Sequence, residues 1–468
     1  MRMPDQAAER RAILKSIGAG SAVGLAGCLG GDGGGDGGDS GDGGGTTTGT
    51  SGGNGEWPDL SGKEVQFLTD EANEATQRVY EEIISEFEEA TGGSVEIEYV
   101  PYSNFNQRVA QLLQANTPPE LVLTTTSTTA NYLERGVAEP ATEVFGTLEE
   151  KYGSPPEGSR VSANGEEYLI PLWTNSGMNH YRSDVADVVP DTWEKELQYA
   201  QAADGQDGLA GVFVPKGQSV CVDQMMLGYA YANEARVCDR RDGEVTIVMS
   251  EGSNRDRWIE TLEHFEQLNE FSPRAGDAGC GQMTQAVSRE VSAQTYYIGA
   301  RPKIQAVTQE KPFAADVHPV KTPSGRSDKH SGFVEGLQMF KGANKEAAEV
   351  FVQFLYRLDN FTKLALRTPI HNNPGWPGIR KSDAYQQGLK ELPDAWSDRD
   401  IQNALDAIQG VRTLDQEVSP PNPYAGPIRA SRNFAQMFFA VTIDGKDPAS
   451  VVDSTANALG GVLEDARG

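Results

Sequence analysis

Val65-Gln66-Phe67-Leu68-Thr69-Asp70-Glu71 runs from a short apolar strand straight into acidic residues, and the alternation of elements that it begins sets the fold class. Between Asp70 and Ala90, Val79, Tyr80, Ile83, Ile84 and Phe87 recur at helical spacing, and Gly92-Gly93 supplies a stop signal. Val95, Ile97 and Tyr99 alternate with polar residues as a second strand. A helix through Phe105, Val109, Leu112 and Leu113 then leads to Leu121-Val122-Leu123, a buried strand that opens into Thr124-Thr125-Thr126-Ser127. Strand–helix–strand–helix–strand in this order implies right-handed crossovers and an α/β fold with a mostly parallel sheet. Ligands of such sheets sit beyond the carboxyl ends of the strands. That rule places Asp70, Glu71, Thr125 and Ser127 on one rim.

The chain has 468 residues, 68 of them acidic and 40 basic, for a formal charge of −28. This balance argues against a nucleic-acid partner, because binding phosphates requires Lys and Arg to neutralise them. The acids are spread through every segment, which reads as the solvated surface of a halophile, where salt screens self-repulsion. A cationic ligand and an acidic tail are the competing explanations. At 1 M ionic strength the Debye length is ~3 Å, so recognition would rest on buried hydrogen bonds and stacking. From Glu56 onward about 410 residues remain, more than one core usually supports, so two lobes are expected.

The N-terminal residues carry a different message. Glu9-Arg10-Arg11-Ala12-Ile13-Leu14-Lys15 resembles a twin-arginine export signal, with Ile13 where that family usually has Phe. The apolar run Ser16 to Gly27 is short of the ~20 residues that span a bilayer. It ends in Leu25-Ala26-Gly27-Cys28, which looks like a lipobox whose Cys28 becomes lipidated. Leu29 to Gly55 is almost entirely Gly, Asp, Thr and Ser, a composition with nothing to bury. As a tether it would reach on the order of 30 Å. Gly49-Thr50-Ser51-Gly52-Gly53 matches the G-x-S-x-G pattern of hydrolases, but no strand precedes it and no helix follows, so it is set aside. The expected organisation is a signal over 1–28, a tether over 29–56 and a two-lobed domain over 57–468, held at the outer face of the membrane.

With Cys28 assigned to lipid, Cys221, Cys238 and Cys280 remain. A Cys221–Cys238 bridge would close a loop of about 18 residues, worth ~3 kcal/mol. Any other pair among the three, or three buried thiols, fits the sequence as well. His180, His264, His318, His330 and His371 are scattered, without an H-E-x-x-H or a paired C-x-x-C, so neither a metal site nor a cofactor is expected.

Phe87-Glu88-Glu89-Ala90-Thr91-Gly92 before a Val-Glu-Ile strand resembles the extracellular solute-binding proteins of family 1, the maltose-binding-type receptors of ABC importers. So does Thr117-Pro118-Pro119-Glu120-Leu121-Val122, with Glu120 in place of the usual Asp. Asn164-Gly165-Glu166-Glu167-Tyr168-Leu169-Ile170-Pro171 is similar to the segment before that family's first hinge. Pro190-Asp191-Thr192-Trp193-Glu194-Lys195-Glu196-Leu197, Ala293 to Gly299, Phe313 to Pro323 and Gly332-Phe333-Val334-Glu335-Gly336 come in the family's order over residues 63–465. The resemblance implies a two-lobed, type II periplasmic-binding-protein-like fold with mixed, mostly parallel sheets and a ligand cleft at the hinge. Lobe one is then about 57–171 and 318–358, and lobe two about 172–317 and 359–468. Asp447-Pro448 begins the last helix as N-cap and first turn, with Val451, Val452, Thr455, Leu459 and Val462 as its packing stripe.

A sugar needs an aromatic face for its C–H side and fixed polar groups for its hydroxyls. Trp173 and Asn175 fall where the chain crosses between lobes. Tyr296 and Tyr297 alternate on their strand, so one alone can face the cleft. Glu335 and Gly336 are expected at the tip of a Gly-bracketed loop. Trp376, in His371-Asn372-Asn373-Pro374-Gly375-Trp376, and Tyr424, in Pro420-Pro421-Asn422-Pro423-Tyr424, complete the candidate contacts. Each has a structural alternative, as hinge core for Trp173 or a loop anchor for Trp376 and Tyr424.

The expected function is capture of a small solute, a sugar or oligosaccharide, by hinge closure, and its delivery as a monomer to ABC permease subunits. The alternatives are an exported carbohydrate-active enzyme working through paired carboxylates, and a receptor for a sensory transducer. No nucleophile–base spacing supports the enzyme.

Overall fold

The computed structural model describes residues 57–71, 73–273, 278–342 and 344–467. The twin-arginine segment, Cys28 and the Gly-rich tether lie outside the described residues.

Strand β1 (Glu64–Thr69) is followed by helix α1 (Glu74–Thr91), β2 (Ser94–Tyr99), α2 (Tyr102–Gln114), β3 (Leu121–Thr125) and α3 (Thr126–Glu134). Local chemistry sets these ends. The side chain of Asn73 accepts the Thr76 N–H at 2.9 Å to cap α1. Gly92 closes it at φ 71°, its N–H bonded to the Glu88 carbonyl. The Thr125 hydroxyl accepts the Thr128 N–H at the start of α3.

Strands β1, β2 and β3 pair in parallel, with β1 central. Further along the chain come β4 (Ile170–Arg182), β5 (Gln294–Ile298), β6 (Val317–Lys321) and β7 (His330–Phe340). They complete one mixed sheet in the order β5-β4-β7-β3-β1-β2, with β6 also on β4 and the two-residue strand Val411–Arg412 on β7. The contacts of β7 with β3 and of β4 with β7, β5 and β6 are antiparallel.

The long strand β4 joins two cores. Its residues Ile170 and Trp173 belong with Phe67, Tyr80, Phe87, Leu123 and Phe351 in one apolar cluster. Beyond it, β5 contributes Tyr296 and Ile298 to a second cluster with Met225, Tyr229, Trp258, Phe265 and Phe438. Residues 359–408 were expected with the second lobe. Their buried side chains, among them Phe361, Ile370, Trp376, Tyr385, Leu389 and Leu405, pack into the first cluster instead. The chain returns to the second cluster at Leu414. Helical periodicity marks an element but not the core that it covers.

The last helix, Pro448–Arg467, starts as expected, with Asp447 accepting the Ser450 N–H at 2.8 Å. Val451, Val452, Thr455 and Leu459 are buried along it. Leu463 extends that stripe, and Val462 is half-buried.

The disulfide joins Cys221 to Cys280, not Cys221 to Cys238, and Cys238 is a buried free thiol. The sequence separation of 59 makes this pairing invisible to local spacing. It ties the start of the helix Val220–Ala232 to that of Cys280–Gln285. Cys280→Ser is expected to destabilise the protein by about 2–4 kcal/mol, with Cys238→Ser costing less. Denaturation midpoints of the two variants check this; an equal cost would contradict it.

Candidate binding cleft

A cleft of about 240 Å³ opens beyond the carboxyl ends of β1 and β3. Asp70 enters it directly after β1, and Thr124, Thr125, Ser127 and Thr128 enter it where β3 becomes α3. Strand β7 supplies Phe333 and Glu335 from one face, as the two-residue period of a strand requires. Phe105 and Asn106 of α2 cover it from one side. Val220, Gly426, Arg429 and Arg432 cover it from the other.

The start of α3 is tied down from a distance. The Ser127 and Thr126 hydroxyls donate to Asp415 Oδ1 at 2.6 and 3.1 Å, and Asp415 is fully buried. A carboxylate at a helix N-terminus also suits the macrodipole. Arg432 is held by an ion pair with buried Asp223 at 3.0 Å and by the Arg429 carbonyl at 2.7 Å. The Arg429 guanidinium has no hydrogen-bond or ion-pair partner among the described residues.

Asp70 and Glu335 stand on the inner wall, and Glu71 follows Asp70 in the chain. Burial raises Asp70. Burial, then the neighbouring Asp70 charge, pushes Glu71 up to about 7. Burial, then Asp70 and Glu71, holds Glu335 well above the usual carboxylate range. These carboxyls hold their protons to higher pH than free ones, and a protonated one can donate as well as accept.

Of the residues singled out in the sequence, Asp70, Thr125, Ser127 and Glu335 come together in the cleft. Glu71 stands beside Asp70, half-buried, and accepts a hydrogen bond from Asn372 Nδ2 at 3.4 Å. Asn175 is buried and spent on the same loop. Its Nδ2 donates to Asn372 Oδ1 at 3.4 Å, and its Oδ1 accepts the Asn373 N–H at 3.3 Å.

The aromatic expectations need correction. Trp173 is 2% exposed and packs on Phe361 at 5.3 Å, so its ring is core and offers no stacking face. Trp376 is fully buried between Phe145 and Tyr356, and its indole N–H donates to the Pro171 carbonyl at 2.8 Å. Tyr296 is buried, its hydroxyl against the backbone of Gly177 and Gly228, where a Cβ would collide with it. Tyr297 is the half-buried one. Tyr424 is half-buried under the Arg467 guanidinium, outside the cleft lining. Glu335 and Gly336 are not a loop tip. Both lie within β7, and Gly336 is packed so closely on Ile170 and Leu169 that a Cβ would clash.

Phe105 and Phe333 supply the aromatic surface instead, with Arg429 as the free donor. Phe333 was findable, because it shares a strand face with Glu335. Arg429 carries no local signal, since it reaches the cleft through the packing of the helix Ala425–Ala430 on α3.

A cleft of this kind, between two cores and at the ends of parallel strands, defines a solute receptor. The profile of the bacterial extracellular solute-binding proteins matches residues 82–393, and the chain belongs to that family. Among solved structures it is similar to the sugar-binding protein MalE of Xanthomonas citri. The TM-score is 0.70 at 14% identity, over 86% of this chain and 98% of that one. It is also similar to an ABC transporter solute-binding protein of Thermotoga lettingae bound with α-D-tagatose, with TM-score 0.63 and 16% identity over 86% and 100%. A third is the Agrobacterium radiobacter solute-binding protein in complex with ribitol, with TM-score 0.64 and 14% identity over 86% and 99%. At these identities the likeness establishes the two-lobed fold. No curated protein matches the sequence. Among the described residues no helix is long and apolar enough to cross a membrane, and no group of three or more His, Cys, Asp or Glu could hold a metal ion.

Proposed function

We propose that this chain is the extracellular, lipid-anchored receptor of an ABC importer, capturing a small carbohydrate or polyol as its lobes close. The observation that carries this reading is the pairing, in one small cleft, of Phe105 and Phe333 with Asp70, Glu335, Arg429 and the hydroxyls of β3–α3. Aromatic faces suit the C–H side of a sugar, and fixed donors and acceptors suit its hydroxyls. The volume of about 240 Å³ lies below the ~300–1,000 Å³ of drug-sized pockets, which favours one or two rings. The sugar and polyol ligands of the tagatose- and ribitol-bound structures support the same class.

Strand β4, strand β7 and the segment 408–414 form the hinge between a first lobe around the first cluster and a second around the other. Ligand that touches both walls stabilises the closed state by its differential affinity. In this reading Cys28 carries the anchor, the twin-arginine segment directs export, the acidic surface serves high salt, and the receptor works as a monomer. A sensory transducer in place of the permease would use the same closure.

A thermal-shift screen in high salt against sugars, polyols, sugar phosphates and amino acids tests the proposal, since a ligand of the folded state raises Tm. A selective rise with a sugar or polyol is expected, and a rise with amino acids alone would overturn it. Arg429→Ala and Glu335→Gln should each weaken that ligand by about 1.5–3 kcal/mol, roughly 10- to 150-fold in Kd by calorimetry, as loss of a charged hydrogen bond requires. The desolvated carboxyls at Asp70 and Glu335 favour one second reading, glycoside hydrolysis with a protonated carboxyl as acid. Release of free sugar from a bound oligosaccharide would establish it.

A further inference from the structure

We infer that the solute carries a cationic nitrogen, making it an amino sugar under the carbohydrate reading above, and that this nitrogen sits against Asp70 and Glu335. The inference rests on that reading for the saccharide part alone.

Asp70 and Glu335 line the cleft from the end of β1 and from β7, with Glu71 next to Asp70 outside the lining, and each is only half-buried. Among the described residues none of them is in an ion pair. The side-chain donors they meet are neutral: Asn372 Nδ2, 3.4 Å from Glu71, and the Trp173 indole N–H, also directed at Glu71. The nearest cationic group acting on Glu71, Arg301, is exposed and turned to His371, to which its Nε donates at 3.0 Å. Three other buried carboxylates in this acidic chain are answered. Asp223 has Arg432, Asp400 has Lys303, and Glu196 accepts from Asn179, Tyr229, His264 and Gln294.

A second observation comes from the floor behind them. Tyr80 is fully buried and Trp173 is 2% exposed. The Trp173 indole N–H is directed at Glu71, whereas the Tyr80 hydroxyl is without a hydrogen-bond partner and lies near enough to Glu71 and Glu335 to feel both charges. Buried polar groups seldom stay unpaired. An ammonium here gives the Tyr80 oxygen a donor. A neutral polyol fills hydrogen bonds but does nothing to favour the ionised form of these crowded carboxyls, so its amine counterpart binds better. In high salt the contrast survives, because a partly buried pair is screened less than a surface one.

The test is isothermal titration of the intact chain with matched pairs at pH 7.5: glucosamine against glucose, galactosamine against galactose, mannosamine against mannose, with ethanolamine as an amine lacking a ring. At least one amino sugar is expected to bind tenfold or more tightly than its neutral partner. Glu335→Gln and Asp70→Asn should each remove most of that preference, with the ligand-free Tm checking that the variants fold. Neutral sugars binding as well as their amines would overturn the inference and leave the carbohydrate reading intact. Binding of ethanolamine without any sugar would uphold the cation site and overturn the carbohydrate reading. Absence of amine preference in every pair, or a preference untouched by both variants, overturns the inference.

Discussion

Asp400→Ala is expected to destabilise the protein by about 3–5 kcal/mol, because it strands a buried ammonium. Asp400 Oδ2 lies 2.7 Å from Lys303 Nζ, and both side chains are fully buried. Lys303 Nζ also donates to the Val317 carbonyl at 2.6 Å, and Asp400 Oδ1 meets His318 Nδ1 at 2.8 Å. One carboxylate thereby links the helix Arg301–Thr308, strand β6 and the helix Asp398–Ala407, at the back of the long strand β4. Chemical denaturation of the variant measures the loss. The double variant Lys303→Met/Asp400→Leu should recover most of it, since apolar replacement of both partners removes the uncompensated charge. A double variant as unstable as the single one would show that the cost is packing rather than charge.

The same group sets an acid limit. Burial alone would raise the Asp400 carboxyl, but the His318 hydrogen bond and the Lys303 charge outweigh it and hold it down at about 2. The unfolded value is ~3.9, so the folded state favours the ionised form. Its contribution to stability is therefore full above about pH 4, declines as pH falls, and is gone below about pH 2. Stability curves of wild type and Asp400→Asn should differ at pH 6 and converge toward pH 2.

Trp376→Ala is the second large effect, about 3–5 kcal/mol for deleting a fully buried indole. Its ring fills the space between Phe145 at 5.2 Å and Tyr356 at 6.3 Å. Its N–H, with the Tyr356 hydroxyl, serves the Pro171 carbonyl at the start of β4. The loss should appear in the denaturation midpoint, while solute affinity of the folded protein stays within about twofold of wild type. A large loss of affinity without loss of stability would return Trp376 to the cleft, where the sequence alone would place it.

The elements were legible wherever the governing physics is local. Helical spacing at Val79, Tyr80, Ile83, Ile84 and Phe87 marked α1, and Gly92 marked its end, because amphipathicity and capping involve neighbours within a turn or two. Asp447 as a cap needed only its own position and that of Pro448. The rim of Asp70, Thr125 and Ser127 came from strand order, since a parallel sheet puts the ends of its strands on one side.

Features that depend on distant packing were not legible. Cys221 and Cys280 meet because two helices start side by side, 59 residues apart in sequence. Trp173, Trp376 and Tyr296 turn inward while Phe333 turns to the cleft. An aromatic side chain at a crossing point goes wherever the two cores leave apolar space, and its sequence neighbours do not show that space. Arg429 reaches the same cleft as Glu335 for a similar reason. The strands, helices, caps and family of this chain could be read from residue order, because they rest on interactions a few residues long. Which side chains line the cleft, which cysteines pair and which carboxylates go unanswered emerge in three dimensions alone, because those outcomes depend on how two separately packed cores come together.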